Sequence, residues 1–318
     1  MNNILCYINK KSENEISLFF VYVIFILKYA IMIKEAFNFA NNGDEFYTRM
    51  SDIAREIPNY NWSNMTVYFN CGDPSQSNFY KYFKSNFKAL GLKRLLSTYY
   101  SDNPQLLVYD GVSEKNYPIN SGRFQDNSDV IDMCDAVVTN PPFSSGMVME
   151  LIDMLMSSGK KFLFVGPLNI ITKKKIFDYV NSGALRIGYS SINRYNREDG
   201  SKSNAPTCWW TNFDVEKPFL NTSFKYDENM YPRYDNCDAI DCSKTKMIPN
   251  DYDGMMGVPV RFITKYNPRQ FSLVGILNHP RINGKSMYSR IIIKPNNLHE
   301  GIKRVRISES SYRRIFGI

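Results

Sequence analysis

The sequence predicts an α/β fold built on a mostly parallel sheet, and three observations carry that expectation. Short apolar runs bounded by turn formers recur at 67–71, 95–100, 135–139 and 161–165. Stretches with helical patterning fall between or after them, at 78–90, 148–156 and 173–180. Strand and helix alternate at this spacing, as a mostly parallel sheet covered on both faces requires.

Each element has its own warrant. Residues 44–57 open as a polar turn and become a short amphipathic helix, for which Ser51 is the expected N-cap. Residues 67–71 form a compact apolar run, read as a buried strand. Between 78 and 90, Phe79, Tyr82, Phe83, Phe87 and Leu90 recur at helical spacing, and Gly91 ends the helix. The strand at 135–139 runs directly into Asn140-Pro141-Pro142-Phe143. Lys173-Lys174-Lys175 reads as the solvated start of a helix, and Trp209-Trp210 as core or a strand packing on the sheet rather than a base-intercalating wedge. After about residue 190 the pattern breaks into short runs between Pro, Gly, Asn and Asp, with no internal repeat.

Composition bounds the chemistry. The chain has 318 residues, 39 basic and 31 acidic, for a net charge of +8. That charge is unevenly placed. From Pro259 onward there are 12 Lys/Arg against Glu300 and Glu309, a balance of +10, so the body before it stands at −2. A basic C-terminal fifth points to a polyanion partner, nucleic acid first. The only histidines are His279 and His299, which argues against Ser-His or Cys-His catalysis. The six cysteines show no C-x-x-C pair and no zinc-ligand spacing, so they read as reduced, in a cytoplasmic protein with neither a disulfide framework nor a metal.

The sharpest local signal is Asn140-Pro141-Pro142-Phe143 at the carboxyl end of a strand, where open α/β sheets bind their ligands. Two prolines stiffen the chain and remove two N–H donors, leaving the carbonyls of Asn140 and Pro141 as acceptors beside the Asn140 side-chain oxygen. Such acceptors suit an exocyclic amine that must lose a proton, and Phe143 offers a ring to stack on a flat heterocycle. An earlier strand ends in Asn70-Cys71-Gly72-Asp73, a first strand-to-helix turn of the kind that holds a nucleoside cofactor. It lacks the G-x-G-x-x-G spacing of a dinucleotide site. Upstream, Asp44-Glu45-Phe46-Tyr47-Thr48 supplies aromatic and hydroxyl groups to cover a cofactor.

Taken in order, GDEFYT, NCGDPSQSNFYKYF, VVTNPPFSSG, GVPVRFITKYNPRQF and INGKSMYSRIIIK resemble the EcoRI-type adenine-specific DNA methyltransferases, over about residues 36–294. The resemblance implies a Rossmann-like, S-adenosylmethionine-dependent methyltransferase sheet followed by a target-recognition region. It also implies S-adenosylmethionine as donor, N6 of a flipped-out adenine as acceptor, and a restriction-modification setting. Carried over residue by residue, Asn140, Pro141, Pro142 and Phe143 form the catalytic loop. Phe46, Tyr47, Thr48, Asn70, Gly72 and Asp73 line the cofactor site. Asp102, after the second strand, is the nearest acid for the ribose hydroxyls. Asp126 takes the adenine contact in place of Arg123, which stands where an acid is expected.

The implied organisation is an extension at 1–33, a catalytic domain at 34–190 and a DNA-recognition region at 191–318. Arg194, Arg197 and Lys202, in a polar glycine-containing stretch, suit a groove-entering loop, and Arg304, Arg306, Arg313 and Arg314 suit phosphate contact. The expected partner is double-stranded DNA, with a cognate restriction endonuclease acting on the same site, and the expected working form is a monomer. Two other classes stay open: a non-catalytic DNA-binding protein, and a methyltransferase acting on a protein glutamine amide.

Residues 16–33 lie outside the resemblance and are apolar except for Ser17 and Lys28. They read as an extension preceding a true initiator at Met32, with a membrane tether and a buried helix as the other readings. Mass spectrometry of the native protein is expected to show no peptide covering residues 19–29. Finding one removes the Met32 start.

Overall fold

The computed structural model describes residues 48–99, 101–143, 145–192, 195–196, 202–203 and 206–296, with backbone only at 145, 196, 202 and 203. Contacts divide the chain into two units, 1–46 with 196–203 and 47–195 with 204–318. Described residues of the first are Asn196, Lys202 and Ser203, within the two-residue strands β8 (Tyr195–Asn196) and β9 (Lys202–Ser203). The second unit contains both large sheets.

The first part of that unit runs α1 (Met50–Glu56), β1 (Thr66–Phe69), α2 (Asn78–Ser85), β2 (Arg94–Ser97), β3 (Gln105–Tyr109), β4 (Glu114–Pro118), α3 (Ser128–Asp132), β5 (Ala136–Thr139), α4 (Ser145–Ser158), β6 (Lys161–Pro167), α5 (Lys174–Ser182), β7 (Arg186–Ile192) and β10 (Thr207–Thr211). The strands make one sheet in the order β4-β3-β2-β1-β5-β6-β10-β7. Its centre, β2-β1-β5-β6, is parallel, but β3 and β4 on one side and β10 and β7 on the other pair antiparallel, so the sheet is mixed where a mostly parallel one was expected. β7 spans the boundary expected at residue 190, and β10 returns to complete the same sheet.

Alternate residues serve alternate faces. On one face Tyr68, Val137, Phe162, Phe164 and Trp210 pack with Val148, Leu151, Ile152 and Leu155 of α4. On the other, Phe69 meets Tyr80 and Phe83 of α2 at ring distances of 5.7 and 5.2 Å, and Trp209 meets Phe79 at 5.7 Å. Trp209 and Trp210 are both wholly buried, as a core strand requires. Burying side chains of this size contributes about 1.5–3 kcal/mol each. At the expected solvated start of α5, Lys174 and Lys175 are exposed and pair with Asp178 and Asp153.

Several expectations need correcting. Ser51 does not cap α1: the N-cap is Arg49, and Ser51 lies inside the first turn. The charged clamp of Arg49 and Arg55 on buried Asp52, at 2.9 and 2.8 Å, organises that turn instead. The helix expected to reach residue 90 stops at Ser85, because the Asn86 side chain donates to the Tyr82 carbonyl and the chain turns through Gly91 at φ +65. The hairpin β3–β4 has no counterpart among the expected elements. β4 is exposed along its whole length, so it carries no apolar pattern, although Asp110-Gly111 is a legible turn signal.

Beyond β10 lie β11 (Arg233–Tyr234), β12 (Cys237–Asp241), β13 (Met256–Pro259), β14 (Phe271–Leu277), β15 (Arg281–Ile282), β16 (Lys285–Ser286) and β17 (Arg290–Pro295). A five-stranded sheet forms in the order β11-β12-β13-β17-β14. Ile240, Met256, Val258, Leu273 and Ile293 turn one face into the main core, and Ala239, Val274 and Ile292 line the opposite face. The basic stretch from residue 259 is therefore folded structure as far as residue 296. Its Arg290 is buried, donating to Asp241 at 2.9 Å, and Tyr234 donates to the same carboxylate.

Glu56, wholly buried, ties α1 to β7. Its carboxylate accepts from Tyr60 Oη at 2.5 Å, Tyr189 N at 2.7 Å and Ser190 N at 2.6 Å. A Cβ at Gly188 would lie 2.2 Å from Glu56 Oε1, so only glycine lets the carboxylate approach the strand. The Lys217 amine, its pKa lowered by burial, donates to the Gly188 and Tyr189 carbonyls beside it. Glu56→Gln turns one acceptor into a donor facing donors and is expected to cost about 2–4 kcal/mol, read from the midpoint of urea unfolding.

Candidate active site

Asp135 sets the strands that carry the site. Its carboxylate accepts Thr66 N at 2.8 Å, its own N–H donates to Thr66 O at 2.9 Å, and its carbonyl accepts Lys161 N at 3.1 Å. The starts of β1, β5 and β6 are thus tied together. Val67 pairs with Ala136 and Tyr68 with Val137, so the chain leaves β1 and β5 side by side at the same edge. The sheet order also reverses here, with β2 on one side of β1 and β5 on the other.

Polar groups collect at this edge without protein partners. Asn70, just beyond β1, is 2% exposed, and among the described residues neither its Oδ1 nor its Nδ2 is hydrogen-bonded. The same holds for Ser97 Oγ at the end of β2, Ser101 Oγ beyond it and Thr48 Oγ1. Thr48 is brought here by its carbonyl, which accepts Asn78 Nδ2 at 2.9 Å at the start of α2. Each unpaired buried group costs about 1–3 kcal/mol. Such a cluster at one sheet edge, among described residues whose buried carboxylates are well matched, makes this edge the candidate place for a polar ligand.

The turn after β1 is shaped for close approach. Gly72 has φ +92, a left-handed conformation that favours glycine, and a Cβ there would meet open space. Asp73 is half-buried. Its Oδ1 accepts Ser75 N at 2.8 Å, and its carbonyl accepts Gln76 N and Ser77 N, so it shapes the turn. Burial pushes the Cys71 thiol, beside the Thr139 hydroxyl, up to about 11, so it is protonated at neutral pH and no thiolate nucleophile is on offer.

Asn140 and Phe143 are half-buried and Pro141 is buried. The Phe143 ring meets that of Tyr195 edge-to-face, with centroids 5.8 Å apart and planes at 72°. Tyr195 is wholly buried, and its hydroxyl is hydrogen-bonded to that of Thr207. Sequence reasoning misses Tyr195. It sits amid charged and polar residues, and only the return of β10 brings it to the loop after β5.

The predicted cofactor acids are less central. Asp102 is exposed, and exposed Asp126 accepts from Ser121 Oγ at 2.7 Å. Ser97, missed from sequence, is nearer the end of β2 than Asp102 and is buried; its place directly after the apolar run is the available signal. Phe46, Tyr47, Arg194, Arg197, Arg304, Arg306, Arg313 and Arg314 lie outside the described residues, as do the side chain of Lys202 and the apolar segment 16–33. Among the described residues no helix is long and apolar enough to cross a membrane.

Comparison with known proteins identifies the family. The chain matches the family described as adenine-specific methyltransferase EcoRI over residues 36–129 and 115–316. It is 35% identical over 314 residues to Type II methyltransferase M.EcoRI of Escherichia coli, covering 82% of this chain and 95% of that protein. Type II methyltransferase M.MgeORF184P of Mycoplasma genitalium is 33% identical over 307 residues, 80% of this chain and 96% of the relative. Type II methyltransferase M.MpnI of Mycoplasma pneumoniae is 31% identical over 303 residues, with 79% and 94% covered. No solved structure matches the chain significantly. With β1 and β5 bringing a polar, partnerless edge beside Asn140-Pro141-Pro142-Phe143, and with the family's match running through both sheets, this chain belongs to the EcoRI family of adenine-specific methyltransferases.

Proposed function

We propose that this chain transfers a methyl group from S-adenosylmethionine to N6 of an adenine flipped out of a specific duplex DNA sequence, as part of a restriction-modification pair. The observation that carries this is the meeting, at one sheet edge, of partnerless buried polar groups with the loop 140–143. The residues fit the donor. Asn70, Ser97 and Thr48 offer uncharged donors and acceptors for hydroxyl and amino-acid groups, and Gly72 leaves room for close backbone approach. Thr48, Asn70, Gly72 and Asp73, with Phe46 and Tyr47, would hold the cofactor, and Asp102 and Asp126 are the acids assigned to its ribose and adenine. Bound there, S-adenosylmethionine supplies an electrophilic methyl group.

The chain's own groups do the rest. An adenine nitrogen is out of reach inside the duplex, so the base leaves the stack at a cost of about a few kcal/mol. Phe143 stacks on it, with its ring orientation held by Tyr195. The Asn140 side-chain oxygen and the Pro141 carbonyl accept the two amine hydrogens and draw the lone pair out of conjugation, and one of those two protons leaves the nitrogen along these contacts to solvent as the methyl group takes its place. Catalysis then rests on positioning and electrostatics, with no covalent bond to the enzyme. The region from residue 191 onward holds the DNA, with Arg194, Arg197, Lys202, Arg304, Arg306, Arg313 and Arg314 among its contacts. The enzyme acts as a cytoplasmic monomer. Neither a non-catalytic binder nor an enzyme for protein glutamine is favoured, because the relatives are Type II methyltransferases.

Two measurements test this reading. In tritiated methyl transfer from S-adenosylmethionine to DNA, Asn140→Ala is expected to lower kcat about 10²–10³-fold with donor affinity unchanged. Wild type that binds the donor and labels no DNA removes the proposal. Asn70→Ala is expected to weaken donor binding about tenfold. Because an unpaired buried amide is deleted, the unliganded protein should keep or gain stability in thermal melts. A loss of stability with donor affinity intact would make Asn70 purely structural.

A further inference from the structure

The short hairpin of β15 and β16 is held with unusual care for so exposed an element. Asn283 and Gly284 form its turn, both left-handed at φ 51 and 73, as a two-residue hairpin requires. The Asp235 carboxylate accepts both turn N–H groups, at 3.0 and 2.8 Å, and Asp235 N donates to Arg281 O at 2.8 Å. Asn236 adds two more bonds, donating to His279 O at 2.8 Å and accepting Arg281 N at 3.2 Å. Ile282 and Met287 anchor the hairpin from below, packing on the cluster of Tyr234, Cys237 and Ile292. The backbone beyond it is fixed as well, because buried Arg290 donates from Nη1 to Tyr288 O at 2.9 Å.

What this scaffold presents is not explained by stability. Arg281, Asn283, Lys285 and Ser286 are exposed, and the Tyr288 side chain stands 91% exposed. Among the described residues neither Arg281 nor Lys285 has an ion-pair partner, whereas Arg233, Lys225 and Arg290 in the same region each have one. A rigid backbone offering two unpaired cations and an aromatic ring to solvent has the chemistry of a surface for a polyanion with apolar edges. Such a ribbon is narrow enough to meet a groove or to straddle a phosphate line.

We propose that the hairpin Arg281–Ser286, together with Tyr288, is a contact element for duplex DNA, Arg281 and Lys285 meeting phosphates and Tyr288 packing against sugar or base edges. This rests on the reading that the chain acts on duplex DNA, and it adds residues to that reading's recognition region. The Asp235 latch and the Arg290 tether are positioning groups, which keep the ordering cost of the contact low.

The test is fluorescence anisotropy of the full chain with labelled target and non-target duplexes over a range of salt, with methyl transfer measured in parallel. Arg281→Ala with Lys285→Ala is expected to weaken both duplexes about equally and to lower the salt slope by about 2. Tyr288→Ala should weaken binding without changing that slope. Asp235→Ala removes a negative charge, which by general electrostatics would tighten DNA binding; a weaker complex is expected instead, because the latch is lost. Wild type that methylates DNA, beside a double variant with unchanged affinity and slope, overturns the hairpin alone. Wild type that binds no duplex overturns the parent reading and this one together. Variants that shift the sedimentation of the DNA-free protein with DNA binding intact assign the patch to a second copy of the chain and overturn the proposal too.

Discussion

The parallel pairing of β1 with β5 is the constraint on which the site depends. Two adjacent parallel strands deliver the chain to one edge at one height, and Asp135 pins that height through its bonds to Thr66 and Lys161. A slip of one residue would turn Tyr68 and Val137 from one packed face to the other and shift Asn70 relative to Asn140. Packing on both faces forbids that slip, so core and site are specified by the same register.

Around this centre the molecule treats buried polar groups in two ways. Where structure must be rigid the buried carboxylates are fully matched: Glu56 takes three donors, Asp241 takes Arg290 and Tyr234, and Asp52 takes two arginines. At the carboxyl edge of β1 and β2, polar groups on Asn70, Ser97, Ser101 and Thr48 have no hydrogen-bond partner among the described residues. The contrast is what gives the unmatched set meaning. Burial without partners lowers stability, and a ligand that recovers those hydrogen bonds couples its binding to the stability of the fold.

Much of this is legible in the chain itself. The continuous apolar runs name the central parallel strands, because strands covered on both faces need no polar alternation. The loop 140–143 is legible because two prolines at a strand end are chemically conspicuous. The antiparallel margin is legible only in part: Trp209-Trp210 marks a core segment, but β4 has no buried face, and the place of β10 between β6 and β7 is set by pairing from far along the chain. Tyr195 is illegible for the same reason, since its partner Phe143 lies 52 positions earlier and contact between them needs both strands in place. The charge balance also misleads in part. Arg290 counts toward a basic tail, yet it is consumed inside the second sheet by Asp241.

By itself, the sequence determined the α/β class, the order of the central elements, the loop 140–143 and the family, because these follow from local pattern and from residue types in order. Only the tertiary structure decided which polar groups lack partners, which arginines are spent inside the protein and which aromatic holds Phe143. Those are properties of neighbours, and neighbours here are set by long-range strand pairing.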